Sequence, residues 1–409
     1  MRGFLIHIVS DITVVYMLAS FLSLRRDKVL VSDLRRIIRE YSERFKDTLV
    51  KIMNFCGTHE WTTVNFGIRS LMPANVQLVA GPGCPVCITP SYYIEESIRL
   101  SLDGVRVYCF GDVFKLPAIR EVRGAKSLED AKACGGDVKV VYSFLDAIKD
   151  ARDYGKDSVF LGIGFETTAP SYAVPMVKGH VPRNLLLLSV LRLTPPAARY
   201  ALENTVKRGA APVQGIIAPG HVSTVIGAKP WSDIAEEFRV PTVVSGFEPL
   251  DVLLSIALIL QMRARNTVKT VIEYSRLVTW EGNRYAQRAI YEVFEKTDAA
   301  WRGLGFIPES GLELRGKYRK YDALHELGLK ELTRERWAYD LLPGCKCSEI
   351  TLGLAKPSDC KYFMKACTPE RPLGPCMVSL EGTCAIWGRF GGGGIAEEVA
   401  RDIGLEGGW

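Results

Sequence analysis

The sequence predicts an α/β protein with two similar parallel-sheet domains and a small cysteine-rich domain at the carboxy end. Three observations carry this. Short apolar runs alternate with helical patterns from residue 50 to about 280; the pattern then changes; and six of the 11 cysteines crowd into residues 345–384. At roughly 150 residues per domain, 409 residues make two or three domains.

The first strand series is Val50–Phe55, Val76–Ala80, Val105–Phe110 and Val138–Tyr142. A second follows at Ser158–Ile163, Leu185–Val190, Gly215–Ala218 and Thr242–Ser245. Helical stretches separate them, among them Ser91–Leu102, Leu145–Tyr154, Pro196–Arg208 and Pro249–Arg263. Strands alternating with helices imply right-handed crossovers and mostly parallel sheets. Four strands and then four more place the domains at 25–154 and 155–280, and Gly164-Phe165-Glu166 and Gly246-Phe247-Glu248 echo one another after strands of the second series. Residues 281–409 lack apolar periodicity and need a staple, which their cysteines can supply.

With 47% hydrophobic and 24% charged residues the chain can bury sizeable cores, which excludes wholesale disorder. A net charge of +6 without a long basic run gives no footprint for nucleic acid. Residues 1–24 form an apolar extension interrupted by His7 and Asp11, without the order of a secretory signal. They read as a non-essential extension with Met17 as an alternative start, a packed element, or a membrane anchor, in that order. A secreted disulfide framework spreads its cysteines, whereas here none falls between 135 and 344. Clustering points to a metal or redox site in a reducing compartment, hence a cytoplasmic protein.

Cys56-Gly57-Thr58-His59-Glu60 follows a predicted strand, where ligands gather in open α/β sheets. Gly81-Pro82-Gly83-Cys84-Pro85-Val86-Cys87 also follows a strand and precedes a helix. Its glycines allow tight turns, a helix amino terminus favours thiolates, and C-x-x-C forms a disulfide or binds a soft metal. Together Cys56, Cys84 and Cys87 make a plausible three-thiol cleft; the alternative is that each is a small buried hydrophobe. His59 is a ligand, an acid/base or a core histidine. Glu166, His221 and Glu248 occupy strand ends in the second series, where Thr167, Ser223 and Asp251 read equally well as helix caps. The carboxy-terminal set is Cys345, Cys347, Cys360, Cys367, Cys376 and Cys384. Four thiolates suit an iron–sulfur cluster, and the remaining two suit a nearby disulfide. Spacing alone does not choose the four, and structural zinc remains an alternative.

These motifs, with Gly67-Ile68-Arg69-Ser70-Leu71-Met72-Pro73, Pro219-Gly220-His221-Val222-Ser223, Trp301-Arg302-Gly303-Leu304-Gly305 and Cys376-Met377-Val378-Ser379-Leu380-Glu381-Gly382-Thr383-Cys384, resemble the HypD family of [NiFe]-hydrogenase maturation factors from about residue 30 to 390. The resemblance implies two α/β domains around a cleft, a third domain with a [4Fe-4S] cluster, and a scaffold on which iron acquires CO and cyanide. It implies a HypC-type chaperone and a HypE-type cyanide donor as partners, and the hydrogenase large subunit indirectly. By the same resemblance Cys56 holds the iron, with Cys84 and Cys87 as an adjoining redox or iron-binding pair. It further implies Cys345, Cys360, Cys367 and Cys384 as cluster ligands and Cys347 with Cys376 as a disulfide, similar to ferredoxin–thioredoxin reductase. Cys109 and Cys134 match no family cysteine and read as structural thiols. Ser348 stands where a glycine is usual, and Lys115-Leu116 replaces Arg-Val. An electron relay from the cluster through Cys347 and Cys376 to Cys84 and Cys87 is then expected to need a domain movement or a carrier. The alternative function is a cluster-dependent disulfide reductase. A phosphate-binding G-x-x-x-x-G-K-[ST] loop does not occur.

Overall fold

The computed structural model of the chain describes residues 28–338 and 340–390. The apolar stretch 1–24 and the Gly391–Gly394 tail lie outside the described residues. The strands are β1 Val50–Asn54, β2 Val76–Ala80, β3 Arg106–Cys109, β4 Val138–Val140, β5 Ser158–Gly164, β6 Leu185–Arg192, β7 Val213–Pro219, β8 Thr242–Ser245, β9 Thr270–Ile272, β10 Phe294–Trp301 and β11 Gly305–Leu314. They form two sheets, ordered β2-β1-β7-β8-β9 and β10-β11-β6-β5-β3-β4.

The α/β class is as the sequence predicts, but the strands do not pair in consecutive halves split at 154/155. The first unit takes residues up to Gly81 together with Leu202–Asn283, and the second takes Pro82–Ala201 together with residues from Arg284. Nor do the residues after 280 stand apart, because β10 and β11 extend the second sheet. A hydrophobic run reveals that a strand is buried on both faces; it does not reveal which strand lies beside it.

In the first unit every strand pair is parallel. Ile52, Ile217 and Val243 pack with Leu253, Ile256 and Leu260 of the helix Pro249–Ala264 and with Leu34 and Ile38 of the helix Lys28–Ser42. Every residue from Leu250 to Met262 is buried, as expected for a helix that is apolar all round. A Cβ on Gly215 would come within 2.3 Å of Ile259, so β7 and this helix pack closely because that position is glycine.

In the second unit β5 and β6 are buried along their whole length and form a parallel core with β3 and β4. The β10–β11 hairpin then joins antiparallel, through Gly311 opposite Arg192. Its turn contains Gly303 at φ +74, a conformation that favours glycine. The Ser143 side chain caps the helix Phe144–Tyr154 by accepting from the Asp146 N–H, and left-handed Gly155 ends it. Among the described residues no helix is long and apolar enough to cross a membrane.

Candidate functional site

Parallel strands bring their carboxyl ends to one edge of a sheet, and the loops there carry chemistry. In the first unit Cys56 lies beyond β1 in extended conformation and opens the helix Gly57–Asn65, whose positive end favours negative charge. It is buried and in no disulfide. The Cys56 N–H donates to Asn54 Oδ1 at 3.4 Å, and Asn54 Nδ2 donates to Glu60 Oε2 at 3.2 Å. Arg69 closes this chain by donating from Nη2 to both Glu60 oxygens, at 2.9 and 2.8 Å. A buried ion pair thus holds the backbone that presents the thiol.

His59 Nε2 lies 2.8 Å from the Gly246 carbonyl oxygen. A carbonyl only accepts, so Nε2 carries the proton and Nδ1 presents a lone pair. That Nδ1 is buried without a hydrogen-bond partner among the described residues. Burial pushes the imidazole pKa down to about 4, so His59 is neutral at physiological pH. Phe247 stacks on both His59 and His221, with centroids 4.6 and 3.8 Å away. Asp251 accepts from the Glu248 N–H at 3.1 Å and pairs with Arg276, so the cap reading holds there.

In the second unit Cys84 and Cys87 form a buried disulfide. Beyond it the helix Ser91–Leu102 begins, with the Ser91 N–H donating to Asp340 Oδ1 at 2.7 Å. The carboxy-terminal segment that carries Cys376 approaches this pair at Gly382. A Cβ built on Gly382 would lie 3.1 Å from Cys87 Sγ and 2.2 Å from the Cys376 carbonyl oxygen. Only glycine lets the two segments approach this closely. Cys56 belongs to the first unit and the disulfide to the second, so the three thiols do not share one unit as the sequence reading had them.

Around Cys376 the thiols gather. Cys345 Sγ and Cys347 Sγ are 3.3 Å apart, and the Cys384 N–H meets Cys376 Sγ at 3.4 Å. Hydrogen bonds from the Cys347 and Cys384 thiols hold the Cys376 thiol well below its ordinary pKa. The Cys347 contact pushes Cys345 up, and burial pushes Cys367 up. A Cβ on Gly374 would lie 2.8 Å from Cys347 Sγ and 3.0 Å from Cys345 Sγ. Cys347 and Cys376 are therefore free thiols in contact here, not the expected disulfide. Cys360 is buried nearby in sequence, after the turn Pro357–Asp359. Among the described residues no three His, Cys, Asp or Glu side chains are gathered to hold a single metal ion.

Glu166 accepts from the Thr194 N–H at 2.8 Å and its hydroxyl at 3.2 Å. Burial raises its pKa to about 7. Its neighbours Thr167 and Thr168 line a groove of about 590 Å³ with Phe110 and Ser143. Cys109 is the buried last residue of β3, its thiol pushed up to about 12 by burial, and Cys134 sits exposed at the end of the helix Leu128–Ala133. The sequence reading assigned no role to Asn54, Arg69, Phe247, Arg302 or Asp340. Arg69 and Arg302 lay inside quoted motifs, whereas Asp340 carried no signal.

Fold and site together define a thiol-rich α/β protein with one disulfide beside a cluster of free cysteines. The family model described as the hydrogenase formation hypA family, HypD, matches residues 30–391. The chain is 41% identical over 370 residues to hydrogenase maturation factor HypD1 of Bradyrhizobium diazoefficiens, covering 88% of this chain and 94% of the relative. It is 39% identical over 351 residues to hydrogenase maturation factor HypD of Cupriavidus necator, covering 83% and 89%. It is 38% identical over 387 residues to its counterpart of the same name in Rhodobacter capsulatus, covering 92% and 100%. The chain belongs to the HypD family of hydrogenase maturation factors, which implies a role in a maturation complex.

Proposed function

We propose that the protein is the scaffold on which Fe(II) receives cyanide and CO before insertion into a [NiFe] hydrogenase. The iron is cargo, held by Cys56 with a cysteine from a HypC-type chaperone, while a HypE-type protein donates cyanide. Soft thiolates suit low-spin Fe(II) carrying strong-field ligands. The setting of Cys56, at a helix start and braced by Asn54, Glu60 and Arg69, supports this role. A reducing compartment such as the cytoplasm would keep these thiols available.

The observation that carries the redox half is the approach of the Cys87 sulfur and the Cys376 backbone to one another at Gly382. By donor type the residues of 345–384 suit a [4Fe-4S] cluster: six soft donors, most of them buried, with Gly374 leaving room between its backbone and the Cys345 and Cys347 sulfurs. Cys345, Cys360, Cys367 and Cys384 would hold it, and when bound it supplies electrons one at a time. The Cys376 thiolate attacks Cys87, forming a Cys376–Cys87 bond and releasing the Cys84 thiolate. The Cys347 thiolate then attacks Cys376, forming Cys347–Cys376 and releasing the Cys87 thiolate. Two electrons pass to the Cys84/Cys87 pair, and both released thiolates take up protons. Returning Cys347–Cys376 to two thiols would take two electrons and two protons, the electrons coming from an external one-electron donor protein in two successive reductions.

The disulfide beside these thiols would equally serve a cluster-dependent disulfide reductase, in which Cys56 has no special role. Substituting Cys56 with Ser separates the two readings. The scaffold loses iron from the copurified partner complex, whereas a reductase keeps its full dithiol turnover and loses nothing attributable to Cys56.

A further inference from the structure

Arg302 lies in the turn of the β10–β11 hairpin, within a motif to which the proposed function gives no task. Its guanidinium is buried, with 2% of the residue exposed. Its backbone N–H donates to the Ile88 carbonyl at 2.8 Å, one residue beyond the Cys84–Cys87 disulfide, and its Nε donates to the Asp340 carbonyl at 2.9 Å. Both terminal nitrogens, Nη1 and Nη2, are buried without a hydrogen-bond partner among the described residues. A buried cation with unmade hydrogen bonds is costly, so an anionic partner is called for. The groups that favour its charge against burial are Asp340, Cys347, Cys345 and Glu95, in falling order. A Cβ on the next residue, Gly303, would lie 3.1 Å from Ser348 Cβ, so the hairpin turn packs directly on the segment carrying Cys345 and Cys347.

We infer that Arg302 is a positioning residue for the carboxy-terminal thiol site, its free Nη groups donating hydrogen bonds to sulfur there and raising the reduction potential of the cluster held by those thiols. This rests on the cluster reading above. A cluster with thiolate ligands becomes more negative on reduction, so a neighbouring guanidinium favours the reduced form. Asp340 opposes it, since its carboxylate shares the same cation, and its Oδ2 is also buried without a hydrogen-bond partner among the described residues.

The test is a redox titration, followed by electron paramagnetic resonance, of the full chain reconstituted with iron and sulfide. Arg302→Met shifts the midpoint to more negative potential, Arg302→Lys shifts it less, and Asp340→Asn shifts it to more positive potential. Asparagine keeps the acceptor for the Ser91 N–H, so that substitution spares the fold. Opposite shifts at Arg302 and Asp340 are what an electrostatic role requires; a merely structural role moves both variants the same way. An unmoved midpoint in Arg302→Met, or shifts of one sign, overturns the assignment. If Arg302→Met takes up no cluster, the Lys and Asn variants decide by the same signs. A parent chain that takes up no cluster overturns the cluster reading itself, and with it this one.

Discussion

Cys87 and Cys376 approach one another across Gly382: the point a Gly382 Cβ would occupy lies 3.1 Å from the Cys87 sulfur and 2.2 Å from the Cys376 carbonyl oxygen. They are 289 residues apart in the chain, yet both belong to the second unit. The Cys84–Cys87 disulfide and the backbone that carries Cys376 are therefore packed together within that unit.

Gly382→Ala tests that packing. A methyl group cannot lie 2.2 Å from a backbone oxygen, so the segment must shift, at a cost of roughly 1–3 kcal/mol. Thermal unfolding should show the loss, and the rate at which the Cys84–Cys87 disulfide is reduced in the holoprotein should fall. A variant with parental stability and reduction rate contradicts the close approach.

The relay predicts a split among the six carboxy-terminal cysteines. Cys347→Ser and Cys376→Ser should block hydrogenase maturation while the absorbance of the cluster persists. Cys345→Ser or Cys367→Ser should lose that absorbance. Normal maturation by either of the first two variants would refute the relay.

Much of this was legible in the sequence. β2, β8 and the helix Ser91–Leu102 have the bounds the apolar pattern predicts. Long apolar runs such as Leu185–Val190 mark strands buried on both faces whatever their neighbours. The pattern could not show that β1 pairs with β7, since partner choice is a long-range property. β10 escaped notice because Glu295, Lys296 and Asp298 interrupt its apolar residues, and only its end at Ala299–Trp301 is continuously buried. Among site residues the cysteines announced themselves by type and clustering. Arg302 and Asp340 did not, because their relationship spans 38 residues, with β11 and several short helical turns between them.

Arg69→Met should leave the Glu60 carboxylate buried without its cation. Breaking a buried pair from one side costs roughly 3–5 kcal/mol, so denaturant unfolding should move to markedly lower concentration. The same change should loosen the Asn54–Cys56 backbone link and speed alkylation of Cys56. Unfolding at the parental midpoint would contradict this.

His59 gives a pH dependence with a defined sign. Its folded pKa is near 4 against 6.5 for an unburied imidazole, so between these values the unfolded chain binds a proton that the folded chain does not. The stability of the neutral ring is fully present above pH 6.5 and is lost as pH falls toward 4, by about 3 kcal/mol in total. The difference in unfolding free energy between the parent and His59→Gln should shrink across that window, since glutamine does not titrate. Curves that stay parallel from pH 7 to pH 4 would contradict a buried neutral histidine.

The central claim is that this chain holds iron while its diatomic ligands are attached. Infrared spectroscopy of the chain purified anaerobically with its HypC-type partner tests it most directly. The account predicts stretching bands of metal-bound cyanide and CO, lost in Cys56→Ser. A complex whose iron is confined to an iron–sulfur cluster, with neither band present, would contradict it.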